Sequence, residues 1–320
     1  MGHRVKLPAR ATLAMLGLVL LPVAGTVRAD TYFLNVAGLG GEPDYEQRFT
    51  GLAADLERVL GSGGPTHHVF TLSGAAATRA HLTETVELIA AQAKPEDDFV
   101  LTLIGHGSFD GQHYKFNLPG PDISAAALAQ LCGRIGSKRQ LIVNTTSASG
   151  ASVAALEHGG RAVIAATKSG TEKNATVFAR YWVEALQDPT ADVDKNDSIS
   201  ALEAFQYATA KTAAFYESQK RLATEHAVFA DNGQMSAVRV ASTTSGAGRL
   251  LSSLVLVRMG AQNAAANDPA KRGLLAKKEQ LEQQIDTLKF QRAAMSPQEY
   301  RQQLTEALVA LAKVQEELEK

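Results

Sequence analysis

The chain is poor in cysteine: one, Cys132, in 320 residues. An internal disulfide is therefore impossible, and no disulfide framework can substitute for a core. Cys132 sits in ISAAALAQLCGRI, on the apolar face of a helical pattern, where a free thiol acts as a small buried hydrophobe. Nothing beside it would stabilise a thiolate, which removes it as a nucleophile. Excess charge is also lacking, since 32 basic residues face 33 acidic ones for a net charge of -1. That balance projects no field toward nucleic acid, so no nucleic-acid partner is expected. The glycine-rich turn AGLGGE (residues 37–42) has neither phosphate-loop spacing nor a following lysine-serine pair, and no organic cofactor is expected. His113, His158 and His226 form no metal-ligand spacing. The longest apolar run, Ala11 to Val23, is shorter than the ~20 residues needed to cross a bilayer.

What is present begins with an address. His3, Arg4, Lys6 and Arg10 precede that apolar run, and Val27-Arg28-Ala29 ends on a small residue, so residues 1–29 read as a secretory signal peptide. The protein is expected to be secreted, periplasmic or extracellular. With 45% hydrophobic and 20% charged residues, the rest suffices for one large domain with accessories.

Apolar β-rich runs then alternate with helical patterns. Thr31 to Val36, His68 to Leu72, Asp98 to Ile104, Leu141 to Val143 and Arg161 to Ala166 read as strands. Segments with helical periodicity separate them, for example Asp44 to Leu60 and Thr78 to Ala93. This order predicts an α/β fold with a mainly parallel sheet covered by helices on both faces, over residues 30–260. Leu250 to Val257 is either a sixth edge strand or a helical segment, because periodicity alone does not separate the two.

Asp192 to Glu203, DVDKNDSISALE, fits an EF-hand loop with ligand positions at Asp192, Asp194, Asn196, Ser198, Ser200 and Glu203. Calcium wants six to eight oxygens, which alternating short carboxylates and amides supply, with a backbone carbonyl from Ser198 and a closing Glu203. Asp197 stands where glycine normally makes the sharp turn, so a weak calcium site is expected. Residues 261–268 read as a linker. Beyond it Leu274, Leu281, Ile285 and Leu288, then Leu304, Leu308, Leu311 and Leu318, fall at coiled-coil steps. Between them Ser296-Pro297-Gln298-Glu299 restarts a helix, predicting a coiled-coil hairpin over residues 269–320 that pairs with itself or with another chain.

Two strand ends carry the chemistry. LTLIGHGSFDG (Leu101 to Gly111) and LIVNTTSASG (Leu141 to Gly150) both break from apolar residues into small polar ones, and ligands of open α/β sheets bind outside the carboxyl ends of strands. His106 and the cluster Asn144, Thr145, Thr146, Ser147 and Ser149 are thus expected on one rim. The loop TKSGTEKN adds Lys168 and Glu172 as candidates for substrate or partner contact. Hydroxyls here can also simply cap the helix that follows.

In this region the sequence resembles the legumain and caspase class of cysteine peptidases, particularly the hemoglobinase-like branch. The motifs are an apolar strand ending in His-Gly, matched by IGHGS at Ile104 to Ser108, and a later strand ending in a cysteine followed by Ser-Gly, matched by NTTSASG. The resemblance implies a caspase-like three-layer sandwich, with His106 as base, a Gly107 amide stabilising an oxyanion, and the nucleophile position falling on Ser147. Serine replaces cysteine there, and a hydroxyl needs a base within hydrogen-bond reach to attack. Two readings follow. Either Ser147 is a repurposed nucleophile with Asp110 or another acid orienting His106, or the rim holds a peptide or protein without cutting it.

Overall fold

The computed structural model describes residues 29–320 apart from 235. The leader expected over residues 1–29 lies outside them except for its last residue. No helix among the described residues is long and apolar enough to cross a membrane.

The elements follow the expected alternation. In chain order they are β1 (Thr31–Ala37), α1 (Pro43–Gly61), β2 (His67–Leu72), α2 (Arg79–Gln92) and β3 (Asp98–Ile104). The short strands β4 (Gly107–Phe109), β5 (Tyr114–Phe116) and β6 (Ile123–Ser124) then lead into α3 (Ala125–Cys132). The rest of the sheet and its cover comprise β7 (Arg139–Asn144), α4 (Val153–Leu156), β8 (Arg161–Ala165), α5 (Phe178–Ala185), β9 (Ser198–Ser200), α6 (Ala201–Ser218) and β10 (Val228–Ala230). The carboxyl-terminal part comprises α7 (Arg249–Ser253), β11 (Val255–Arg258), α8 (Gly260–Asn267), α9 (Arg272–Gln291) and α10 (Pro297–Glu319).

The main sheet has the order β10-β8-β7-β3-β1-β2. All of it is parallel except β10, which runs against β8. Its inner strands β1, β3, β7 and β8 are largely apolar because both faces are covered, whereas the edge strand β2 is only half-buried. Phe33, Val100, Leu141, Val143 and Ile164 face α1, α5 and α6, meeting Phe49, Leu56, Trp182 and Phe205. Leu34, Leu101, Ile142 and Val163 face the opposite layer, meeting Leu82, Val86 and Ile89 of α2, Leu128 of α3 and Leu156 of α4. Helix, sheet and helix make three layers. Cys132 lies in this second layer with no exposed surface, and burial pushes its thiol up to about 11.

Several expectations are corrected by packing. The sixth strand is β10, a three-residue strand, and not Leu250 to Val257, which divides into α7 and β11. β11 leaves the main sheet to pair antiparallel with β9 at the end of the acidic loop. Residues 261–268 are largely helical: an alanine-rich stretch continues α8 to Asn267. α9 and α10 pack on each other as an antiparallel hairpin, with Leu275, Leu281, Ile285 and Leu288 buried and Leu275 taking the inward position expected of Leu274. The hairpin is docked, because Arg258 Nε of β11 donates to Glu279 of α9 at 2.5 Å and buried Lys278 donates to the Asn196 carbonyl at 2.9 Å.

Candidate functional site

The chain winds outward from β1 to β2 and then returns past β1 to β3, so the winding direction reverses between β1 and β3. Loops leave such a reversal in opposite directions and open a crevice at the carboxyl ends of the strands. The rim residues stand at this end of the sheet. Thr145 locks β7 to β3 there, donating to the Leu103 carbonyl from its amide at 3.0 Å and its hydroxyl at 2.7 Å.

One step further, Ser147 meets Gly107. The Ser147 hydroxyl donates to the Gly107 carbonyl at 3.0 Å and accepts from the Gly107 amide at 3.1 Å. The pairing demands glycine: a Cβ there would lie 2.4 Å from the Ser147 carbonyl oxygen and 2.6 Å from Thr146 Oγ1. Ser147 is buried, and Ala148 after it has a left-handed backbone with φ of 56°. A non-glycine residue held there stores strain, a recurring property of binding and catalytic turns.

His106 faces elsewhere. Its ring packs edge-on against Tyr45 at 4.7 Å and Phe49 at 5.1 Å, both on α1. Burial holds its pKa below the ordinary histidine value against the opposing pull of a hydrogen bond to the Gly40 carbonyl, leaving the ring neutral at pH 7. No hydrogen bond joins His106 to Ser147. The structure therefore brings the two expected motifs together through Gly107, and the imidazole is absent from that contact. Asp110, expected as an acid orienting the ring, accepts the amides of Gln112 and His113 in the β4–β5 turn. The Gly107 amide, expected as an oxyanion donor, is taken by Ser147 Oγ.

The remaining hydroxyls are tied down internally. Thr146 Oγ1 donates to Asn144 Oδ1 at 2.8 Å and lies 2.7 Å from the Tyr114 hydroxyl, which burial pushes up to about 12. Asn144 Nδ2 donates to Ser152 Oγ, and Ser149 Oγ accepts from the Thr167 amide. Lys168 is exposed, whereas the Glu172 carboxylate turns inward to His226, with its Oε1 2.5 Å from Nδ1. A cavity of about 200 Å³ opens beside the His106 packing partner Phe49, and Arg48, Arg180, Thr145, Thr176 and Tyr181 also line it. Neither arginine was legible as a site residue, because each lies inside a helix without any motif around it. Tyr114, Glu225 and His226 were likewise missed: they reach the site from segments distant in sequence.

The acidic loop Asp192 to Glu203 leads into β9 and the start of α6. Carboxylate oxygens of Asp192, Asp194 and Glu203 lie within 4.8 Å of one another. Burial, then the neighbouring Glu203 charge, raises Asp194 to about 6. Lys195 and Asp197 both have a left-handed backbone, with φ of 60° and 65°. Asn196 Oδ1 accepts from the amide and hydroxyl of Ser198. Glu203 Oε2 accepts from the amide and hydroxyl of Ser200, completing a capping box at the start of α6, while Oε1 accepts from the Val193 amide. The donor set is all oxygen, which fits a hard cation such as calcium.

Comparison with known proteins gives likeness in structure only. No protein-family model matches the chain, and no curated protein matches it. Among similar solved structures, a protein of Geobacter sulfurreducens shares 13% identity, covering 67% of this chain and 95% of its own, at a TM-score of 0.42. The Drosophila initiator caspase Dronc shares 10% identity over 66% of this chain and 82% of its own, at a TM-score of 0.41. Caspase-1 of Spodoptera frugiperda shares 12% identity over 64% and 86%, at a TM-score of 0.42. These likenesses concern the arrangement of strands and helices alone.

Proposed function

We propose that this is an exported protein of peptidase-like architecture whose rim holds a peptide or protein segment without cleaving it. The carrying observation is the closed pair between Ser147 and Gly107, which occupies the hydroxyl proton while His106 is hydrogen-bonded to Gly40 instead. A serine hydroxyl unassisted by a base is a poor nucleophile. Arg48 and Arg180 line the adjoining cavity, and their positive charge favours an anionic side chain on the bound segment. The loop Asp192 to Glu203 takes calcium, with Asp192, Asp194 and Glu203 as carboxylate ligands, and the ion stiffens the end of β9 and the start of α6.

The test is reaction of the purified mature protein with a fluorophosphonate probe, with and without calcium, beside Ser147→Ala and His106→Ala variants. Absence of labelling in folded protein, with micromolar binding of glutamate-containing peptides, is the expected result. Labelling of the parent that vanishes in both variants would instead make Ser147 an activated nucleophile with His106 as base, a serine hydrolase. A second role, self-association through the hairpin, is favoured by Leu308 and Val309 of α10, which are 48% and 50% exposed. Truncation at Asp268 followed by sedimentation tests it.

A further inference from the structure

The segment between β8 and α5, residues 166–177, lies across the end of β7 as a strap. Thr176 Oγ1 donates to the Thr145 carbonyl at 2.5 Å, the Ala148 amide donates to the Glu172 carbonyl at 2.8 Å, and the Gly150 amide donates to Thr167 Oγ1 at 2.9 Å. Contact is close enough that a Cβ on Gly150 would lie 2.3 Å from the Ser169 amide nitrogen. A Cβ on Gly170 would likewise lie 2.2 Å from the Phe109 ring of β4. The strained Ala148 and its neighbour Ser147 are thus bounded by the strap on one side and by Gly107 on the other.

The strap is itself gripped from behind by two consecutive residues. The Glu225 carboxylate accepts the amides of Val177 and Phe178 at 2.7 and 3.2 Å, fixing the strap's exit into α5, and the Tyr216 hydroxyl at 2.9 Å. His226 donates its amide to Glu172 Oε2 at 3.1 Å and its Nδ1 to Oε1 at 2.5 Å, fixing the strap's middle. Glu172 also accepts the Lys168 amide at 2.9 Å, so its carboxylate closes the strap on itself. Glu225 is 3% exposed, so its hydrogen bonds to the strap are shielded from water.

We infer that Glu225 and His226 form a clasp that positions the rim turn Thr146 to Ala148, acting through the strap and making no contact with the bound segment. This rests on the rim being the binding surface proposed above. The chain of contact runs from His226 to Glu172, from the Glu172 carbonyl to the Ala148 amide, and from Ser147 to Gly107. Releasing the clasp frees Ala148 to relax out of its left-handed backbone, which moves Ser147 and the Thr145 carbonyl at the mouth of the arginine-lined cavity.

The test uses the full mature chain with His226→Ala, Glu172→Ala, the double variant and His226→Asn. Asparagine places an amide nitrogen close to where Nδ1 stands and so restores the donor to Glu172. Hydrogen exchange over residues 144–150 is expected to speed up at least tenfold in His226→Ala, equally in Glu172→Ala, and no further in the double variant. Exchange in β3 is expected to be unchanged, and His226→Asn is expected to recover most of the protection. Affinity for a fluorescein-labelled hexapeptide containing two glutamates should fall about tenfold and recover in the same order. Unchanged exchange over residues 144–150 in His226→Ala, or failure of His226→Asn to recover it, overturns the clasp. Absence of peptide binding by the parent overturns the binding function alone, because the exchange data still decide the clasp.

Discussion

Replacing Ser147 with alanine separates a structural hydroxyl from a chemical one. The side chain is 3% exposed and its oxygen makes two hydrogen bonds to Gly107, one as donor and one as acceptor. Alanine removes both and creates little new space, so the cost is set by the Gly107 amide and carbonyl left without that partner. Each orphaned group costs about 1–3 kcal/mol when sealed from water. Gly107 is only half-buried, so solvent recovers part of that, and about 2 kcal/mol in total is expected. At roughly 2–4 °C per kcal/mol for a domain approaching this size, the melting temperature should drop by about 4–8 °C. Urea titration should show a lower midpoint with an unchanged slope, since the surface exposed on unfolding is unaltered. Fluorophosphonate labelling should be nil before and after. A stability change below about 0.5 kcal/mol, combined with loss of labelling, would refute the reasoning: the hydroxyl would then be held for attack and contribute nothing to the fold.

Other outcomes follow from the same geometry. Gly107→Ala places a methyl 2.4 Å from the Ser147 carbonyl oxygen and 2.5 Å from Tyr114 Cε2, and should cost more than Ser147→Ala, about 3 kcal/mol or above, in the same urea titration. His106 has a folded-state pKa lowered by burial, so as pH falls below the unfolded value of about 6.5 the unfolded chain takes up a proton first. It therefore subtracts stability as pH drops through that window and subtracts none above it. His106→Gln should narrow the gap between urea midpoints at pH 7.5 and 5.5. Calcium at about 100 times its dissociation constant should stabilise the parent by about 2.7 kcal/mol, and Asp194→Asn should abolish this; an unchanged melting temperature in 10 mM calcium would remove the ion from the account. Cys132 is fully buried with its thiol pushed up to about 11, so iodoacetamide should label it only in denaturant.

The sequence by itself determined the layered α/β architecture. Apolar runs such as Leu101 to Ile104 and Leu141 to Val143 are continuous because both faces of the sheet are covered, and that signal is local. The positions of His106 and Ser147 at strand ends were legible for the same reason, as was the acidic loop, whose alternating carboxylates lie within one short stretch. Tertiary structure alone decided what these residues touch. Ser147 reaches Gly107 across 40 positions, His226 reaches Glu172 across 54, and His106 is packed by Tyr45 and Phe49 from α1. Hydrogen-bond partners so far apart leave no periodicity, and two arginines brought to one cavity by separate helices leave no motif. β10 was hidden because three residues are too few to show alternation, and it exists only because the edge of β8 offers it a ladder. The acceptor of the Ser147 hydroxyl proton is the Gly107 carbonyl, a partner that only the folded chain brings close.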